Sequence, residues 1–158
     1  MISLLTENGK EIYCFQTKYK EKIISYFYEK EDEFWHKNIH KNGGTKEENI
    51  KNTLSDIDDN VEFYVVLDKG RFAAFFGKFE QDGYKLLQGF HVGKEYRNKD
   101  FMQVYWRCIK MAFRNVINCG ICDKNIYAIN HLLKQGFEIK GKTKSDGLNI
   151  LILTLKIL

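Results

Sequence analysis

The stretch CGICDKNIYAINHLLKQGF, residues 119–137, decides how this 158-residue chain is read, because its two halves point to different chemistries. Cys119-Gly120-Ile121-Cys122 has the C-x-x-C spacing of a dithiol between a strand and a helix, where a helix N-terminus lowers a thiol pKa. The second half places Ile126, Ile129, Leu132, Leu133 and Phe137 at helical spacing. Gly136 then closes that helix as the residue that best tolerates a left-handed conformation.

Dithiol chemistry of this kind belongs to thioredoxin- and glutaredoxin-like proteins, which place the motif beside the first strand and press a cis-proline loop against it. Here the pair stands late in the chain, and the sequence contains no proline. A zinc site would need two further ligands, and Cys14, Cys108, His91 and His131 supply no second paired spacing. In a strand, positions three apart point to opposite faces. Cys119 and Cys122 are therefore read as small residues ending a buried strand.

Composition narrows the class. Hydrophobic residues make up 44% and charged residues 29%, as in an ordinary globular protein, and the length suits a single domain over residues 1–158 with a sizeable core. The net charge of +4 is mild. Acids and bases interleave along residues 18–33, which argues against nucleic acid as a partner. The opening MISLLTENGK lacks the basic start and apolar centre of a signal peptide, and no apolar run approaches the roughly 20 residues of a membrane helix. These features predict a cytoplasmic protein without a membrane partner, whose four cysteines are free thiols.

Working outward, residues 11–17 read as a strand and 20–36 as a helix carrying Ile23, Ile24, Phe27, Phe34 and Trp35. After Asn42-Gly43-Gly44, Thr45 with Glu48 forms a capping box for a helix over 46–56. Strands 61–67, 71–79 and 84–92 are joined at Asp68-Lys69-Gly70 and Gln81-Asp82-Gly83, which predicts an antiparallel meander. Residues 100–115 form a helix bearing Phe101, Val104, Tyr105, Cys108, Ile109, Ala112 and Phe113, followed by a short strand through Ile121. Strands 137–142 and 148–158 close the chain around Ser145-Asp146-Gly147. The expected fold class is α/β, an α+β mixed sheet flanked by about four helices.

This element order resembles the Gcn5-related N-acetyltransferase (GNAT) superfamily over nearly the whole chain. Asn125, Ala128, Ile129 and the Gly136-Phe137 pair match the family's late segment without a gap, and Phe90-His91-Val92-Gly93-Lys94-Glu95-Tyr96-Arg97 resembles its strand leading into a pyrophosphate loop. In the family that loop reads Arg/Gln-x-x-Gly-x-Gly/Ala. Here Arg97-Asn98-Lys99-Asp100-Phe101-Met102 keeps the arginine and puts Asp100 and Met102 where the glycines stand.

The resemblance implies acetyl-CoA as cosubstrate, contacted by Phe90, Val92, Arg97, Asn98, Lys99, Asp100, Phe101, Met102 and Asn125. Asp100 also reads as an N-cap of the following helix, a role that competes with phosphate for the same amides. Gly89 marks a bulge that splays the strand from its neighbour. His91 is the candidate base, with Glu31, Glu33 and Glu80 as weaker ones. Where the family often carries a general-acid tyrosine this chain has Leu132, and Tyr127, one turn earlier, is the candidate substitute.

Two functions follow from the resemblance. One is transfer of acetyl to a primary amine, on a small molecule or a protein, with Trp35, His36 and His40 on the acceptor side. The other is a catalytically inactive GNAT-fold protein acting as a binding or structural component, as among the small phage-encoded acyltransferase-like proteins that the chain also resembles. An aromatic content of 15% is compatible with a homodimer interface.

Overall fold

The computed structural model describes residues 6–7, 10–40 and 43–157. The short β1 (Thr6–Glu7) pairs with β2 (Lys10–Gln16), which is followed by α1 (Lys20–Glu29), a wide helical turn at Trp35–Ile39 and α2 (Lys46–Asp56). The meander comprises β3 (Val61–Asp68), β4 (Arg71–Gln81) and β5 (Tyr84–Val92). A tight turn at Lys94–Tyr96 leads to α3 (Lys99–Phe113), β6 (Val116–Cys122), α4 (Ile126–Lys134), β7 (Glu138–Ser145) and β8 (Leu148–Lys156). The strand order is β1-β2-β3-β4-β5-β6-β8-β7, antiparallel except for the parallel pair β5–β6. That exception is where α3 crosses over between two parallel strands. The expected break at Asn42 and the strand end at Leu158 lie outside the described residues.

Each hairpin turn has a local cause. Lys69-Gly70, Asp82-Gly83 and Asp146-Gly147 all have both residues at positive φ, the conformation of the two-residue turn whose twist matches that of the flanking strands. Thr45 accepts the backbone N–H of Glu48, as the capping-box spacing predicts. Gly136, at φ +101°, ends α4.

Strands β3 and β4 bury both faces, which explains their continuous apolar runs. One face carries Tyr64, Val66, Ala74 and Phe76 toward Tyr105, Trp106, Ile109 and Phe113 of α3 and Leu132 of α4. The other carries Phe63, Val65 and Phe75 toward Ile23, Ile24, Phe27 and Tyr28 of α1.

The structure corrects two local expectations. The helix expected over 20–36 stops at Glu29, because Asp32 begins a new turn and its Oδ1 accepts the Trp35 N–H at 2.8 Å. The cap of α3 is Asn98, whose Oδ1 accepts the Phe101 N–H at 2.9 Å, and Asp100 lies exposed in the first turn. Cys119 is buried in the core and Cys122 ends β6 half-buried, four residues before α4 begins, so the C-x-x-C pair does not sit at a helix N-terminus.

Candidate active site

Strand β5 is built to part from β6. Its pairing to β4 skips Gly89, which bulges out at φ +61° between the Phe76–Phe90 and Gly77–Gln88 pairs. A side chain there would meet Ile57 Cδ1 at 2.9 Å, so glycine answers both the backbone and the space. Tyr105 fastens the bulge from α3: its buried hydroxyl donates to the Phe75 carbonyl at 2.6 Å and faces the His91 backbone N–H. On its other edge, among the described residues, β5 pairs with β6 only through Leu86–Asn118 and Leu87–Cys119. Among the described residues that edge has no strand partner beyond Leu87, which leaves a wedge open toward the end of β5, where the chain runs through the Lys94–Tyr96 turn into α3.

Around the wedge stand a histidine and a carboxylate. His91 is enclosed by the rings of Phe27, Tyr28, Trp35 and Phe75, with centroids 5.2–5.5 Å away. Its Nε2 lies 3.3 Å from Glu31 Oε1. Burial holds the imidazole below its usual pKa, and the Glu31 carboxylate only partly opposes this. His91 is therefore neutral near pH 7 and able to accept a proton.

Glu31 follows α1, and its side chain is 2% exposed. Burial pushes its pKa up, but His91 and the Arg97 guanidinium outweigh that and hold the carboxyl below its usual range. Arg97 Nη2 bonds Glu31 Oε1, Arg97 Nε donates to the Val92 carbonyl at 2.9 Å, and Lys94 Nζ stands 4.0 Å from Glu31 Oε2. Next to the bulge, the buried Gln88 Oε1 has no hydrogen-bond partner among the described residues.

The expected site residues divide into groups. His91 and Arg97 meet at Glu31, whereas Phe90 packs on Trp106 and Val92 is buried on the α3 side of β5. At the α3 terminus, Asn98 is the cap, Lys99 and Asp100 are exposed, Phe101 is buried and Met102 packs against the core. The cap takes the Phe101 N–H and the Asn98 carbonyl takes that of Met102; among the described residues the first-turn amides of Lys99 and Asp100 have no such partner. Asn125 caps α4 through its bond from Ala128 N–H, and Tyr127 is 87% exposed in the first turn of that helix.

Sequence reasoning ranks Glu31 among the weaker candidate bases and gives Tyr105 only as an apolar position of its helix. The signal for Glu31 was Asp32, a capping residue that starts the next turn at Trp35 just after the end of α1. His36 and His40 bond within the α1–α2 layer: His36 Nε2 meets the Tyr28 carbonyl at 2.8 Å, and His40 Nε2 meets the Tyr28 hydroxyl at 3.1 Å.

No protein-family model matches the chain, and no curated protein matches it in sequence. Solved structures do. The aminoglycoside N(6′)-acetyltransferase of Legionella pneumophila superposes with a TM-score of 0.70 at 15% identity, over 92% of this chain and 91% of that one. The ribosomal-protein-S18-alanine N-acetyltransferase of Escherichia coli gives 0.61 at 12% identity, over 92% and 94%. A Bacillus subtilis acetyltransferase in complex with CoA gives 0.54 at 16% identity, over 68% and 84%. The chain has the GNAT acyl-CoA N-acyltransferase fold.

Proposed function

We propose that the protein is an N-acetyltransferase that moves acetyl from acetyl-CoA to a primary amine. The observation that carries this is the wedge between β5 and β6, with a buried neutral histidine on β5 and the chain running from its open end through the Lys94–Tyr96 turn into α3. The residues present fit the cosubstrate: the amides of Lys99 and Asp100 with the side chains of Lys94 and Lys99 suit an anionic pyrophosphate, and the orphaned Gln88 Oε1 suits an amide-bearing arm. Acetyl-CoA supplies an activated acyl group. The unpartnered edge of β5 offers backbone donors to a carbonyl oxygen that gains charge. As the C–N bond forms and the thioester C–S bond breaks, CoA leaves as its thiolate, and His91, paired with Glu31, removes the proton that the attacking amine must lose. Solved neighbours include enzymes named for spermidine and for aminoglycosides, and a small cationic amine is the acceptor class we favour.

A second reading, a GNAT-fold binding or structural protein without catalysis, is favoured by one observation: Arg97, the arginine that the pyrophosphate loop keeps, is held by Glu31. Calorimetric titration with acetyl-CoA and with CoA separates the two. Micromolar binding followed by acetylation in a screen of amines supports the enzyme; absence of binding to both leaves the second reading.

A further inference from the structure

Glu31 joins parts that the sequence keeps far apart. It lies 66 positions before Arg97, yet its carboxylate meets the guanidinium from the loop ahead of α3, the imidazole of β5 and the ammonium of Lys94. A carboxylate withdrawn this far from water is costly, and removing one partner of such a pair is costlier still. Its second oxygen, Oε2, is buried without a hydrogen-bond partner among the described residues. Arg97 meanwhile spends Nε and Nη2 on Val92 and Glu31, toward the sheet and the end of α1 rather than on the start of α3.

We propose that Glu31 is a positioning residue that holds the Arg97 guanidinium and sets the His91 imidazole, so that an anionic cosubstrate at the start of α3 competes with Glu31 for Arg97. The competition rests on the acetyl-CoA reading above; the hold on His91 does not. The charged and titratable groups facing His91 are Glu31, Arg97 and His36, and Tyr28 lies among the rings around it. When Arg97 moves toward a phosphate, His91 loses a nearby cation and keeps its carboxylate. Loss of that cation makes the imidazole more basic, which couples arrival of the acyl donor to readiness of the base.

The test follows the His91 ring by NMR titration without ligand in wild type, Glu31→Gln and Arg97→Gln. The expected result is a downward shift in Glu31→Gln and an upward shift in Arg97→Gln; a ring that responds to neither overturns the proposal. Calorimetry with CoA across wild type, both variants and their double then tests the competition. Glu31→Gln is expected to tighten CoA several-fold when Arg97 is present and to leave affinity unchanged when it is Gln. An equal effect in both backgrounds, or weaker binding in Glu31→Gln, overturns it. Should Glu31→Gln fail to fold, Arg97→Gln alone still reads the His91 shift. A wild type that binds no CoA ends the acetyl-CoA reading and the competition with it, while the ring titrations still decide the hold on His91.

Discussion

At position 91 two effects oppose each other, burial disfavouring the imidazolium and the Glu31 carboxylate favouring it, and burial wins. A neutral base sheltered by four aromatic rings is expected to matter for turnover and not for donor binding. His91→Gln should lower kcat on any accepted amine by about 10²- to 10⁴-fold with the Kd for CoA unchanged, as rates beside calorimetry would show. Asp100 tests the other end of the wedge. Its carboxylate stands in the first turn of α3, where the proposed reading puts the pyrophosphate, but Asn98 does the capping. A like charge about 4 Å away costs roughly 1 kcal/mol in water, so Asp100→Gly is expected to tighten CoA about five-fold despite the helix propensity lost. A weaker complex by calorimetry would mean that Asp100 lies away from the phosphate.

Elements hold these residues in place, and two of them can be probed without touching the wedge surface. The β4–β5 bulge is closed by the Tyr105 hydroxyl, buried between the Phe75 carbonyl and the His91 backbone. Tyr105→Phe keeps the ring and removes the bridge, and a buried group left without its partner costs about 1–3 kcal/mol; denaturant unfolding should show that loss. The β3–β4 turn has room for improvement. Lys69 sits at φ 51°, a left-handed conformation that costs an ordinary L-residue about 1–2 kcal/mol and suits asparagine. Lys69→Asn should raise Tm by about 2–4 °C; an unchanged or lower Tm would mean that the lysine carries other weight.

Across the whole molecule, stability should track the protons that burial keeps off. His91 and His131 both have pKa values depressed below the usual 6.5, chiefly by burial. A folded-state pKa below the unfolded one contributes stability that is present above the unfolded value and lost as pH falls through the folded one. Tm is therefore expected to be level above about pH 7 and to fall on acidification below 6.5. Glu31, held below its usual 4.5, adds a further loss beneath that value. A flat Tm between pH 7 and pH 5 would contradict this. No helix among the described residues is long and apolar enough to cross a membrane.

What the sequence determined by itself was local: turns where glycine follows Lys69, Asp82 and Asp146, the Thr45 cap, the stop at Gly136, and the periodicities that order strands and helices into the GNAT-like arrangement. Those signals are legible because their causes, backbone sterics and the alternation of apolar residues, act within a few positions. The bulge at Gly89 was legible for the same reason. Which of the weaker candidates Glu31, Glu33 and Glu80 would stand beside His91 was not. Whether Glu31 faces solvent or His91 depends on Arg97 arriving 66 positions later and on four rings from α1, the turn after it and β4 excluding water. Only the tertiary structure decided which charges are buried together, because a charge accepts burial only where partners from distant parts of the chain converge on it.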